Sequence, residues 1–254
     1  MRLEYDQTTE LMDIPYKLGK CPIAEAILEI RFNPVVDHNT VFPILYGAFR
    51  EDFPTIEQLI PSIPGVPIPG FPDMSLQPHY RLKHKEDANV LIQIGPRILT
   101  INMAPSYEGW SVFRKYAIKY IAVLNDAKIV GSVDRVGYRV INFFGDDIFL
   151  NSRLNLKVTL GDAEIPYRET SVRTIFDMEG ITSVVNLMNN GQLNHGMTVQ
   201  RGSIIDVDTF ILNCANFMFD FENRINEVHD AEKRTFFPIL SADYIKTFDP
   251  SYEE

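Results

Sequence analysis

The chain has 254 residues, of which 45% are hydrophobic and 23% charged, and its formal net charge at pH 7 is −10. This length accommodates one large domain or two modest ones, each with its own core, and the composition excludes wholesale disorder. The negative charge argues against nonspecific nucleic-acid binding, because that affinity comes mainly from Lys and Arg neutralising phosphates.

Apolar runs, the first residues and the cysteines indicate the cellular compartment of the protein. Apolar runs stay shorter than the roughly 18 residues of a transmembrane helix, so no membrane partner is expected. The first residues are polar and acidic and lack the apolar stretch of a secretory signal. Cys21 and Cys214 have no CxxC or histidine neighbour, and we interpret them as ordinary cytosolic thiols. We therefore expect a cytoplasmic protein.

The first predicted strand is Pro22–Phe32. Alternate positions from Ala24 to Phe32 are all apolar, whereas the intervening positions carry Glu25, Glu29 and Arg31 among isoleucines. A period of two with one wholly apolar face is typical of a half-buried strand. Any chemistry on this strand would therefore lie on its charged face.

An amphipathic helix follows, with Asp37 as its cap and Phe42, Leu45, Tyr46 and Phe49 at helical spacing. Residues 54–78 hold seven of the sixteen prolines, and we expect an extended loop there. Because Ile60–Phe71 is rich in apolar residues, it is a candidate for an exposed interface patch.

The rest of the first half is predicted as a hairpin, a helix and a long strand. Three short strands come first, and Trp110 then begins a helix with an aromatic stripe that is interpreted as core. Gly131 and Gly137 in the long strand are expected at a bulge or a close-approach point. The predicted strands are Tyr80–Lys85, Val90–Ile94, Ile98–Met103 and Ile129–Phe144.

The second half repeats this order of elements loosely. Strands are predicted over Ser171–Met178, Ile181–Met188 and Gly202–Leu212, with a turn at residues 189–192. The last helix is predicted from Ala215 to Arg234. Its apolar stripe comprises Phe217, Phe221, Ile225 and Val228.

Hairpins followed by helices, without regular βαβ alternation, predict an α+β fold. We expect antiparallel sheets built from two hairpin-plus-helix lobes, with the helices packed on one face. The lobes would span residues 1–145 and 146–254, and a single continuous domain is the alternative.

Several blocks of the sequence resemble a sporadically distributed prokaryotic family of about this length. Pro22–Phe32 fits the opening P-[PI]-x-E-A-x-x-E-I-R-F, Tyr107–Trp110 fits Y-x-G-W, and Arg135–Asn142 fits R-x-G-x-R-x-I-N. The chain departs from the family at Glu108, where proline is usual, and at Val140, where tyrosine is usual. The resemblance implies no activity, but its patchy occurrence implies accessory genes such as defence or toxin-neutralising systems.

Common catalytic motifs such as the Walker loop, GxSxG and HExxH are absent from the sequence. What remains is a set of polar residues on strands and on the last helix. If the sheet curls into a cup, these side chains could converge on one groove. The candidate groove comprises Glu25, Glu29, Arg31, Arg135, Arg139, Asn142 and His229.

In a groove of this kind, arginines could clamp the phosphate of a small molecule while carboxylates hold Mg²⁺ or Mn²⁺. Asp206 and Asp208, on one face of a strand, are the candidate metal ligands, although no complete metal site is predicted. The structural alternative is that Glu29 and Arg139 are cross-strand partners that hold sheet register. His229 would then be a packed or capping histidine rather than a base.

Two functions follow from these alternatives. The first is a non-enzymatic recognition module that binds a protein partner, in a defence or toxin–antidote pair, and homo-oligomers are compatible with it. No cofactor is then required. The second is a metal-assisted phosphoester or nucleotide hydrolase that uses Glu25, Glu29 and Asp206 with the arginines.

Overall fold

A computed structural model describes residues 13–59, 73–156, 169–195 and 198–253. The strands in these ranges are β1 (Lys17–Leu18), β2 (Ile23–Pro34), β3 (Thr55–Gln58), β4 (Tyr80–Lys83), β5 (Val90–Gly95), β6 (Ile98–Met103), β7 (Val130–Phe144), β8 (Ser171–Met178), β9 (Ile181–His195), β10 (Thr198–Leu212) and β11 (Pro250–Ser251). The α-helices are α1 (His38–Phe49), α2 (Trp110–Asp126), α3 (Phe217–Phe236) and α4 (Ala242–Lys246). None of these helices combines the length and the apolar character that crossing a bilayer requires.

In the described part of the chain, nine strands form one large antiparallel sheet with the order β3-β4-β5-β6-β2-β7-β10-β9-β8. β7 pairs with β2 on one side and with β10 on the other, so strands from both halves of the chain lie in the same sheet. The predicted α+β class with antiparallel sheets is confirmed.

The helices pack on one face of the large sheet, as predicted. Ala26, Leu28, Ile30 and Phe32 are fully buried in the same cluster as residues of α1, α2 and α3. A second cluster continues this core beneath the end of α3 and α4. The other positions of β2 therefore face away from the helices, on what we call the charged sheet face, which carries Glu25, Glu29 and Arg31.

A small two-stranded sheet joins the two ends of the described chain. β1 pairs with β11, and the backbone amides of Gly19 and Lys20 donate to the carbonyls of Asp249 and Phe248 at 2.9 and 3.0 Å. The segment that leads into β2 is thereby held beside the end of α3 and α4. Neither short strand was predicted from the sequence.

The prediction of an extended loop over residues 54–78 is wrong at its beginning. Thr55–Gln58 forms β3, which pairs with β4 at the edge of the large sheet. Edge strands tolerate neighbouring prolines because one side of the strand needs no ladder hydrogen bonds. The whole of the predicted patch Ile60–Phe71 lies outside the described residues.

The predicted turn at residues 189–192 is also wrong. β9 continues through it, and the register against β10 shifts between Gly202 and Ile204. Gly202 pairs with Gly191 and Ile204 with Met188, so one residue of β10 faces two residues of β9. Asn190 adopts a positive φ of 56° at this bulge. The turn-forming residues are thus used in a β-bulge, which keeps the strand continuous.

Candidate functional site

Glu29 lies at the centre of the charged sheet face and is bound by two arginines. The Nε of Arg31 is 2.6 Å from Glu29 Oε1, and the Nη1 of Arg135 donates to the same oxygen. The Nη2 of Arg135 donates to both carboxylate oxygens of Asp208 at 2.6 and 2.7 Å. Arg135 therefore joins β2 to β10 across β7.

Gly137 creates the space for this arrangement. A Cβ at Gly137 would lie 2.7 Å from Nη1 of Arg135, closer than such contacts allow. The guanidinium of Arg135 also lies over the ring of Phe210, with 4.2 Å between its central carbon and the ring centroid. The predicted close approach at Gly137 is confirmed, and what approaches is a side chain of the same strand.

The prediction that Glu29 pairs with Arg139 is wrong, because each residue binds a different partner. Glu29 lies opposite Gly137 in the register, and Arg139 instead binds Asp206 through two hydrogen bonds of 2.7 and 2.8 Å. Hydrogen bonding to Asp206 is the main reason why the pKa of Arg139 is raised. Desolvation raises the pKa of Asp208, against the opposing effect of Arg135.

The remaining candidates of this face are also engaged. Glu25 Oε1 accepts a hydrogen bond of 2.8 Å from Asn102, and Asn186 donates to Asp206 at 3.2 Å. No cluster of three His, Cys, Asp or Glu side chains suited to a metal ion occurs among the described residues. Asp206 and Asp208, the candidate metal ligands, are each occupied by an arginine.

The large sheet separates two candidate residues from the others. Asn142 shares the face of Tyr138 and Val140, which belong to the helix-side core, and His229 projects from α3 on that same side. The single groove predicted from the sequence is thus divided. Glu25, Glu29, Arg31, Arg135 and Arg139 lie on the charged sheet face, and Asn142 and His229 line a cavity on the helix side.

This cavity, which we call the α3 pocket, has a volume of about 330 Å³. It lies between residues 15–23, residues 107–111, β7 and the second half of α3. Pockets of about 300–1,000 Å³ that combine apolar walls with a few polar groups are typical of small-ligand sites. The pocket is at the lower end of that range, so the group that enters it is small.

Glu232 is the most unusual residue of the α3 pocket. It follows Val228 by four residues on the buried stripe of α3, and only 5% of it is exposed. Its Oε1 is buried and has no hydrogen-bond partner among the described residues. Burial raises the pKa of Glu232 to about 8, with a small opposing effect from Lys233. The carboxyl is therefore largely protonated at neutral pH.

Asn142 supplies a second unpartnered oxygen. It is 1% exposed, and its Nδ2 donates to the carbonyl of Ile205 at 3.3 Å. That bond sets the orientation of the amide and leaves the buried Oδ1 without a partner among the described residues. Asn142 and Glu232 thus both line the pocket, and each has a buried oxygen of the kind that native proteins rarely leave unsatisfied.

Aromatic side chains form the walls. The ring of Trp110 stacks on His229 with 3.8 Å between centroids, and the hydroxyls of Tyr107 and Tyr138 are 3.2 Å apart. Desolvation lowers the pKa of His229, although the contact with Asp230 opposes this. His229 is therefore a neutral, packed ring at pH 7, in agreement with its expected structural role.

Local contacts position the polar groups of the pocket. The hydroxyl of Thr209 on β10 donates to the carbonyl of Val228 at 2.8 Å, one turn before Glu232. Pro22, beside the pocket, accepts from the amide of Phe143 at 2.9 Å. Because these bonds tie α3 and residues 15–23 to the large sheet, the pocket is preformed.

Sequence reasoning named Asn142 and His229 but missed Glu232. The signal was present, because the stripe Phe217, Phe221, Ile225 and Val228 reaches Glu232 in one further step of four residues. An acidic residue on the apolar stripe of a helix is a buried charge that needs an explanation. Tyr107 and Trp110 were noted only as a motif and as core.

No protein-family model matches the chain, and no curated protein matches it.

Proposed function

We propose that the protein is a non-enzymatic recognition module and that the α3 pocket is its binding site. The observation that carries this proposal is that Glu232 and Asn142, each with a buried and unpartnered oxygen, line the same cavity. A ligand that hydrogen-bonds both would recover the free energy that their burial costs. The groups that could form a catalytic centre on the charged sheet face are instead bound to one another.

A protein partner, in a defence or toxin–antidote pair, is consistent with this proposal. The group that enters a pocket of about 330 Å³ can be a side chain of such a partner. Well-packed, desolvated pockets are also typical of the sites that receive anchor residues at protein interfaces.

Trp110 makes the proposal directly testable because it is the only tryptophan of the chain and lines the pocket. A fragment library is titrated into the protein while Trp110 emission is recorded. We expect saturable changes with a subset of fragments, because a ligand in the pocket alters the surroundings of the indole.

The matched control is Cys21→Phe, which places a larger side chain at the rim of the pocket. Cys21 is exposed and lines the pocket, so a ring at this position would occupy part of the cavity. Fragments should lose binding to this variant while its urea midpoint stays near that of the parent. Equal binding to both proteins, or no binding fragment at all, would contradict the proposal.

A further inference from the structure

We propose that the α3 pocket recognises a positively charged nitrogen group, an ammonium or a guanidinium, through the unpartnered oxygens of Glu232 and Asn142. This inference rests on the proposed function and specifies the chemical class of its ligand. It follows from the polar atoms of the pocket, from its walls, and from the charges around it.

The two unpartnered atoms both accept hydrogen bonds. Asn142 Oδ1 is an acceptor in every protonation state, because Nδ2 is committed to the Ile205 carbonyl. Glu232 becomes an acceptor on both oxygens when it ionises. Ammonium and guanidinium groups present several N–H donors and no acceptor, so they satisfy both residues together. A carboxylate or phosphate has no donor for Asn142 Oδ1, so it cannot satisfy both residues.

The walls suit a cation with an apolar stem. Tyr107, Trp110, Tyr138 and Phe236 line the pocket, and aromatic faces attract ammonium and guanidinium groups. Trp110 is held in place by its stack on the neutral His229, with 10° between the ring planes. The methylene or aromatic portion of the ligand would pack on these same rings.

Four titratable groups of the described chain interact electrostatically with Glu232: Cys21, Tyr107, Tyr138 and Lys233. Burial keeps Cys21, Tyr107 and Tyr138 protonated and neutral, because it raises the pKa of each. Lys233 also lines the pocket, where its Nζ donates to the carbonyl of Tyr16 at 3.4 Å, and desolvation lowers the pKa of Lys233. Lys17 and Glu108, which have opposite charges, also line the pocket.

Binding of a cation would couple to the ionisation of Glu232. At pH 7 a carboxyl with a pKa of about 8 is mostly protonated, so formation of the ion pair releases about 0.9 proton per ligand. The proton passes to buffer, and the affinity for a permanently charged ligand rises as the pH increases towards 8. An uncharged ligand would bind without this proton release.

The experiment uses three probes of nearly the same shape: benzamidine, benzamide and benzoate, which are cationic, neutral and anionic at pH 7. Trp110 emission gives the affinity, and calorimetry in buffers of different ionisation enthalpy gives the proton count. We expect benzamidine to bind at least about tenfold more tightly than the other two, since about 1.4 kcal/mol of charge-assisted bonding suffices for that ratio.

Two Glu→Gln variants distinguish the role of Glu232 from the general effect of removing a negative charge. Glu232→Gln should lose the preference for benzamidine and abolish the proton release. Glu57→Gln, on edge strand β3 and outside the set of residues that line the pocket, should retain both. If benzamide or benzoate binds as tightly as benzamidine, or if Glu232→Gln retains the preference, the inference is overturned while the proposed function stands. If no probe and no fragment binds, both fail.

A second comparison identifies the source of the cation. The probes are butylguanidine, the peptide acetyl-Gly-Gly-Arg-Gly-Gly-amide, and the same peptide with citrulline in place of Arg. Tighter binding of the Arg peptide than of butylguanidine assigns the site to a basic side chain of a protein partner. The reverse order assigns it to a free small molecule. Equal binding of the citrulline peptide would count against the cation.

Discussion

The acidic side chains on the two faces of the large sheet differ in whether they have ion-pair partners. On the charged sheet face, Glu29 is bound by Arg31 and Arg135, and Asp206 is bound by Arg139. In the α3 pocket, the carboxyl of Glu232 is more deeply buried and has no ion-pair partner among the described residues.

This contrast shows why abundance of charge is a poor guide to a functional site. Paired charges on neighbouring strands satisfy one another and hold the strands in register, so they need no ligand. A buried polar atom without a partner is unfavourable by itself and persists where something else binds it. The predictions below test whether the first region is structural and the second is functional.

The largest effect is expected for Arg135→Met. This change removes the common partner of Glu29 and Asp208, and the side chain of Arg135 is only 8% exposed. Removal of one member of a buried ion pair costs about 3–5 kcal/mol, because the remaining carboxylates lose their compensation. Urea unfolding at pH 7 measures the loss of free energy of unfolding.

Lys83→Met provides the control for this measurement. The side chains of Lys83 and of its partner Glu57 are 53% and 45% exposed, so water can solvate the carboxylate that the substitution leaves behind. The cost should be no more than about 1 kcal/mol. If both variants lost the same stability, the distinction between a buried and an exposed part of the charged sheet face would be wrong.

The second effect is a pH dependence that belongs to Glu232. Its pKa in the folded protein is about 8, above the unfolded value of about 4.3. The protein therefore loses stability as the pH rises from 5 to 8, because the unfolded state ionises more readily. Glu232→Gln lacks this loss. Between pH 5 and pH 8, the free energy of unfolding of Glu232→Gln should therefore rise relative to that of the parent by about 3 kcal/mol.

Unfolding of both proteins in urea at pH 5, 6, 7 and 8 measures the difference. All other titratable groups are shared by the two proteins, so the change in their difference isolates Glu232. A difference that stays constant with pH would show that the carboxyl is not desolvated in the native state, and the proposed cation site would lose its main support.

The third effect, smaller again, is expected for Glu29→Gln. Hydrogen bonds to charged groups contribute about 1.5–3 kcal/mol, and glutamine keeps one acceptor for the two arginines. We expect a loss of about 2 kcal/mol in urea unfolding. A thermal-shift titration with nucleotides and Mg²⁺ or Mn²⁺ separates the alternatives. If the parent showed a metal-dependent shift that Glu29→Gln abolished without loss of stability, the charged sheet face would be a ligand site.

Much of the fold was predictable, because period-two and helical patterns dictate which face each element buries. The alternation in β2 and the stripe of α3 identified both sheet faces before the structure. Contacts set by packing were not predictable. The two-residue strands β1 and β11 are too short to show a period, and the reach of Arg135 over Gly137 depends on register. The position of Glu232 on the apolar stripe could be predicted from the sequence, but its lack of a hydrogen-bond partner could not.

The smallest effect is expected for Glu57→Gln, the matched counterpart of Glu29→Gln. Glu57 is on the same sheet face and has two cationic neighbours, with 3.5 Å from Oε2 to Arg81 Nη1 and to Lys83 Nζ. Its side chain is 45% exposed on edge strand β3, against 17% for Glu29 in the interior of the sheet. Exposed pairs are screened by water, so Glu57→Gln should change the free energy of unfolding by no more than about 0.5 kcal/mol. The ratio of the stability losses of Glu29→Gln and Glu57→Gln is more informative than either loss alone. The chemical change is identical in the two variants, and only burial and geometry differ. A Glu57→Gln variant as destabilised as Glu29→Gln would mean that charge pairing as such, rather than burial, stabilises this face.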